Sequence, residues 1–241
     1  MKTKQEQVYD ILVMPISCDK KYKEIVIKDG IILTSQKYCR DADEDMSDFS
    51  IGFYERLYQD LLVGNTLLDK DGYLVNKEFA GDTMNSFNTL ANSILCDSGK
   101  GHRAPEDKWP TILKNYYLLY HSLANFWLLP MYIGRRSPKL NKYDSVDLFL
   151  NRLSREFDIF KKEKYIHYFN DIKNFEDFCD KHYVRSCRND LEVLEMYKER
   201  ETCLKIVENA IDDIENRAKD LSMSKYSDIL WEYFASLRLF D

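Results

Sequence analysis

Two short runs of uncharged hydrogen-bonding residues lie inside segments otherwise suited to a hydrophobic core, and they constrain this chain more than any other feature. One is Gly81-Asp82-Thr83-Met84-Asn85-Ser86-Phe87. The other is Tyr120-His121-Ser122-Leu123-Ala124-Asn125, continued by Phe126-Trp127-Leu128-Leu129-Pro130. A polar group taken out of water costs free energy unless it finds a partner. Two such runs point to a shared polar site or to a polar network inside the core.

The rest of the chain reads as mainly helical. Ser47 to Leu62 has Phe49, Phe53, Tyr54, Leu57, Tyr58, Leu61 and Leu62 at helical spacing, with Ser47 as N-cap and Gly64 past the end. Thr83 to Cys96 places Met84, Phe87, Leu90, Ala91, Ile94 and Leu95 on one face, and Asp82 just ahead of it is an expected cap. Thr111 to Trp127 is apolar almost all round, as a buried central helix would be. Helices are also expected over Ser145 to Phe157, capped by Asp144; over Ile166 to Asp180, in two pieces broken near Asn174; over Asp190 to Leu221, as one long amphipathic helix; and over Tyr226 to Leu237. Glu24 to Thr34 departs from this pattern. Two β-branched runs flank Asp29-Gly30, the signature of a β-hairpin. Lys70 to Val75 is a second, shorter turn of this kind, and Ser98 to Asp107 reads as a long loop. The expected fold is therefore mainly α, a helical domain with one small N-terminal β-hairpin. It forms a single domain over 1–241, with a hairpin region at 1–40 and a helical core at 41–241.

Composition narrows the function classes. Of 241 residues, 44% are hydrophobic and 32% charged, and no apolar run approaches the length of a membrane span. The first residues, Met1 to Gln7, lack a signal-peptide hydrophobic stretch, so a cytoplasmic protein with no membrane partner is expected. The six cysteines include no CxxC pair, and the four histidines add no zinc spacing. Reduced, mostly buried thiols and no metal site follow. No cofactor motif is recognisable. The net charge of −6 argues against indiscriminate nucleic-acid binding, but it is uneven. Ser98 to Lys142 carries eight Lys/Arg against two acids, a local +6 that leaves −12 for the remainder. This basic middle is either an anion-binding face or a segment docked on acidic helices of the same chain.

Several residues are candidates for chemistry. Asp82 is either a structural cap or, with Thr83, Asn85 and Ser86, part of a helix N-terminus that binds a metal-bound substrate or a base edge. His121 is either a hydrogen-bonded core residue or a candidate catalytic group, with Asn125 four residues on along the same helical face. Arg135 and Arg136 follow Gly134 in a loop and suit an anionic ligand or a nucleotide, through forked donors. The acidic run Asp41, Asp43, Glu44, Asp45 and Asp48 lacks the pattern of a calcium loop and reads as a solvated charge cluster. No P-loop, GxGxxG, HExxH, GxSxG or kinase signature is present.

The same residues carry two resemblances. Gly81 to Phe87, then Tyr120 to Asn125 with Pro130, then Gly134-Arg135 and Asn141 resemble an uncharacterised bacterial domain family with GDTMNSF-like and YHTIGN-like motifs. The similarity spans about Arg40 to Lys219, and Ala124 stands where that family has Gly. It implies a unit of structure more than an activity. A fainter similarity is to HNH-type nuclease domains, through His102-Arg103-Ala104-Pro105, then Ala124 to Leu129, then Leu140-Asn141. It implies His102 as a base, Asn125 and Asn141 as supporting groups, and a divalent metal. Gly101 stands where those domains carry an acid.

Three function classes follow. The first, favoured because no complete catalytic set is visible, is a bacterial or phage binding protein whose polar centre is a specificity network, with phage–host conflict as one setting. The second is a nucleic-acid- or nucleotide-directed hydrolase using His121 or His102 with Asp82 and the Arg135/Arg136 loop. The third is a homo-oligomerisation module built on residues 190–221.

Overall fold

The N-terminus shows how closely the local rules are obeyed. Thr3 accepts the Glu6 amide at 3.2 Å, and the Glu6 carboxylate takes the Thr3 amide at 2.7 Å. This reciprocal capping box starts helix α1, Lys4–Leu12. The computed structural model describes residues 2–19, 24–27, 31–34, 44–60, 62, 79–84, 87–96, 103–130, 150, 153–158, 172–184 and 200–240. After α1 come strands β1 (Ile16–Asp19), β2 (Glu24–Ile27) and β3 (Ile31–Thr34), a 3₁₀ turn at Glu44–Met46 and helix α2 (Asp48–Leu57). Strand β4 (Phe79–Thr83) and helices α3 (Phe87–Leu95) and α4 (Thr111–Leu119) follow. A 3₁₀ turn at Leu123–Asn125 then leads into strand β5 (Phe126–Pro130). Residues 153–158 are helical, and α5 (Phe175–His182), α6 (Arg200–Ser222) and α7 (Ser227–Ser236) complete the described chain.

The fold is mainly helical, as the sequence predicts. The expected hairpin forms with Val26 opposite Ile32, and β1 joins its other side to give the antiparallel order β1-β2-β3. Ser47 caps α2 and Asn174 caps α5, each side chain accepting an amide of the first turn. Helix α6 is the spine. It packs on α1, α3, α4 and the Leu123–Asn125 turn, while α7 packs on α1 and α2. The N-terminal helix thus shares one core with the C-terminal pair. The turn expected at Lys70–Val75 and the cap expected at Asp144 lie outside the described residues.

Two helix expectations are corrected. Asp82 caps no helix. It is the fourth residue of β4, and α3 starts at Phe87. The central helix ends at Leu119 instead of Trp127, and Phe126 to Pro130 form β5. The two polar signatures therefore meet as an antiparallel pair, with Gly81 opposite Leu128, Asp82 opposite Trp127 and Thr83 opposite Phe126. A short apolar run gives no period by which a buried strand could be told from a buried helix. Here Phe126, Trp127 and Leu128 are all buried, so successive side chains on both faces of β5 are covered.

Candidate functional site

The Glu44–Met46 turn ties the two signatures to the N-terminal sheet with three consecutive side chains. Glu44 Oε1 accepts the Cys18 amide at 3.0 Å, and its Oε2 lies 3.5 Å from His121 Nδ1. Asp45 Oδ2 accepts the Thr83 hydroxyl at 2.7 Å, and Met46 Sδ accepts the Gly81 amide at 2.8 Å. Gly81 is needed for this approach. A Cβ there would run into the Asp45 carbonyl oxygen and stand 2.8 Å from the Tyr54 hydroxyl. Glu44 and Asp45 are thus not the solvated charges that their acidic run suggests. Asp45 is buried, and its carbonyl also accepts the Tyr54 hydroxyl at 2.9 Å. Burial, with Asp45 the next largest influence, holds that phenol well above its ordinary pKa.

Strand β1 is an edge strand, and both of its outward amides near this turn are used. Ile16 donates to the His121 carbonyl at 2.7 Å and Cys18 to Glu44. Edge amides left open invite pairing with another chain, and here they instead hold His121 and Glu44 in place. Beside them opens a groove of about 440 Å³ lined by Pro15, Ile16, Val26, Ile27 and Leu118 and by Ser17, Glu44, Tyr117, Tyr120 and His121. His121 is 26% exposed and stacks against Tyr120, with ring centroids 4.0 Å apart. Tyr117 and Tyr120 stack at 5.7 Å. Tyr117 and Leu118 are 43% and 54% exposed, and they are two of the three large exposed hydrophobic residues among those described. Burial pushes the Tyr120 phenol up to about 12, helped by Tyr117 and the Glu44 charge and opposed by Arg103.

A second polar cluster lies wholly inside. Arg217, on α6, is 2% exposed. Its Nη1 donates to the carbonyls of Ala124 at 2.7 Å and Phe126 at 2.9 Å, its Nε to the His182 carbonyl at 2.8 Å, and its Nη2 to the Tyr58 hydroxyl at 3.4 Å. The Tyr58 hydroxyl also shares a hydrogen bond of 2.8 Å with His182 Nδ1, its direction set by the imidazole tautomer. The His182 ring stacks on Trp127 at 5.0 Å. Burial first, and the Arg217 charge second, hold the His182 pKa well below its usual value, so the imidazole is neutral. The guanidinium is surrounded by neutral acceptors, and it ties α6 to β5, α5 and the end of α2.

The structure separates the residues that the sequence groups together. His121 reaches the groove. Thr83 is spent on Asp45. Asp82, opposite Trp127, points to the other face of the pleat from Thr83. Asn125 is 1% exposed and does not share a helical face with His121, because α4 has already ended. Its Nδ2 donates to the Tyr120 carbonyl at 2.7 Å, and its own carbonyl accepts the Met84 amide at 2.9 Å. It therefore locks the turn into β5 and does not line the groove. Asn125 Oδ1 and Ser122 Oγ, both buried, make no hydrogen bond among the described residues. Arg103, from the basic segment, bonds Asn92 and Asn88 and no acidic helix. Asn85, Ser86, His102, Arg135, Arg136 and Asn141 lie outside the described residues. Among the described residues no group of three or more His, Cys, Asp or Glu side chains could hold a metal ion, so the metal implied by the nuclease resemblance has no holder there.

Sequence reasoning missed Glu44, Tyr58, His182 and Arg217. Arg217 had a signal: it stands among Ile214, Ala218 and Leu221 on the inward stripe of α6. That stripe is covered by the same chain. Cys203, Ile206, Val207, Ala210, Ile214, Ala218 and Leu221 are all buried against it, and residues 190–199 lie outside the described part. No helix among the described residues is long and apolar enough to cross a membrane. No family model matches the chain, and comparison with curated proteins and with solved structures likewise finds no significant match.

Proposed function

We propose that this is a binding protein whose ligand sits in the groove beside His121 and Glu44. One observation carries the reading: an open concavity with aliphatic walls also carries His121 and Glu44, which are held there by bonds from the amides of an edge strand. Ligand sites are typically built this way, with apolar walls for contact area and a few placed polar groups for orientation. The Arg217 cluster lacks that character, because it is buried and four guanidinium hydrogen bonds are already made within the core. A cytoplasmic location and a setting in phage–host conflict belong to the same proposal and rest on the sequence alone.

A thermal-shift screen of the purified chain tests it, with nucleotides, short oligonucleotides, basic and acidic peptides and divalent metals. A ligand at 100 times its Kd adds about 2.7 kcal/mol of stability, a large displacement of the melting curve. The expected result is a hit lost in His121→Ala and Tyr117→Ala but retained in the distant surface variant Glu208→Gln. Hits indifferent to both groove variants would overturn the reading.

A second reading is favoured by the 3.5 Å approach of the Glu44 carboxylate to His121 Nδ1. A carboxylate so placed orients an imidazole as a general base, which would make the protein a nucleotide- or nucleic-acid-directed hydrolase. Its test is product formation from nucleotides and oligonucleotides, abolished in both His121→Ala and Glu44→Gln. A homo-oligomer built on residues 190–221 has least support, since the stripe from Cys203 to Leu221 is already used inside the chain. Light scattering measures that directly.

A further inference from the structure

We infer that the groove is a receptor for an arginine side chain of a partner polypeptide, an inference that rests on the binding reading above. Its walls combine two chemistries. Pro15, Ile16, Val26, Ile27 and Leu118 offer aliphatic surface, while Tyr117, Tyr120 and His121 offer aromatic faces. Among the described residues, Glu44 is the single acidic residue of the lining, and no lysine or arginine lines it. An arginine side chain carries the matching pair of properties: an apolar stem that gains by leaving water, and a planar cation that stacks on aromatic rings and bonds carboxylates.

Charge complementarity selects this occupant over an anionic one. Glu44 is only 16% exposed, and its two oxygens face the Cys18 amide and the His121 ring. A carboxylate oxygen has two acceptor positions, so each retains capacity for a guanidinium N–H. The tyrosine faces add attraction for a cation, which their ring quadrupoles favour. A phosphate or acidic peptide would meet the Glu44 carboxylate instead. Tyr117 and Leu118 stand exposed on the last turn of α4, at the rim where a partner backbone would lie. An exposed tyrosine beside a partly desolvated acid suits an interface hot spot, in which one anchor side chain, often an arginine, enters a pocket.

The test is a titration of the ¹⁵N-labelled chain with a Gly/Ser nonapeptide bearing one central arginine, followed by chemical-shift change. The control is the same peptide with citrulline, the neutral isostere, at that position. The expected result is saturable shifts at Ser17, Tyr117, Tyr120 and His121, with the citrulline peptide binding at least tenfold more weakly. Glu44→Gln keeps an acceptor for the Cys18 amide and is expected to cost the arginine peptide tenfold while leaving the citrulline peptide unchanged. Tyr117→Ala, at a rim position 43% exposed, is expected to cost it several-fold. Equal binding of the two peptides, or shifts confined to other surfaces, would overturn the inference. If groove-dependent ligands emerge from the thermal-shift screen while the arginine peptide fails, the arginine assignment alone falls. If no ligand depends on the groove, the binding reading falls with it.

Discussion

The Arg217 cluster and the His121 groove are built from similar parts, and burial separates their uses. Each sets a histidine beside a charged side chain and aromatic rings, and each leans on the segment from Tyr120 to Leu128. Inside, the charge is wholly desolvated, and its guanidinium is met by three backbone carbonyls and a phenol. Such a group is stabilising only as a complete set, since removing one member strands the others in a medium that cannot solvate them. In the groove, the Glu44 carboxylate and the His121 ring keep contact with solvent, and the neighbouring Tyr117 and Leu118 are uncovered. Substitutions there should change binding far more than stability.

The sharpest way to break the comparison is Arg217→Met. It keeps the aliphatic stem and leaves the carbonyls of Ala124, Phe126 and His182 without their donor. The expected loss is about 3–5 kcal/mol, seen as a melting point roughly 10 °C lower. A loss under about 1 kcal/mol would show that the cluster does not hold the core. Gly81→Ala comes next. Its Cβ would collide with the Asp45 carbonyl and crowd Tyr54, so we expect about 2 kcal/mol of destabilisation by denaturant titration, typical of overpacking.

His182 gives a smaller effect with a defined sign. Its folded pKa lies below the usual 6.5, so the unfolded chain takes up the proton first as pH falls. Its contribution to stability is therefore complete above about pH 6.5. It declines below that, by at most about 1.4 kcal/mol per pH unit, until the folded imidazole is protonated as well. Comparing wild type with His182→Gln between pH 5 and 7.5 isolates this slope, which the variant should lack. The smallest stability effect belongs to the groove. Glu44→Gln should cost about 1 kcal/mol or less, although it is expected to weaken the arginine peptide tenfold. A large stability loss there would move His121 and Glu44 into the class of the Arg217 cluster.

Much of this could be read before any tertiary information. Asp29-Gly30 between β-branched runs specifies the hairpin, Ser47 caps its helix, the break expected near Asn174 is where α5 begins, and the stripe on α6 faces inward as its spacing requires. Those signals are local, because a turn or a cap is satisfied by atoms within a few residues. The assignments that failed share one cause. Phe79–Thr83 and Phe126–Pro130 are short runs, the second with buried side chains on both faces, and at that length their preference for strand is set by the partner, which lies more than forty residues away. His121 was legible as a polar residue worth attention, but its partner Glu44 was hidden in what reads as a solvated acidic run.

By itself, then, the sequence determined a mainly helical chain, its hairpin, some of its helix limits and the two segments whose polar groups had to meet. The tertiary structure decided how they meet. It turned both segments into one β-ladder, placed Asn125 and Arg217 in the interior as backbone donors, and left His121 with Glu44 at an open groove. The physical reason is that polar satisfaction is a pairwise property. A sequence shows which groups need partners, and only the folded chain shows which partners they find and which sites stay open to solvent.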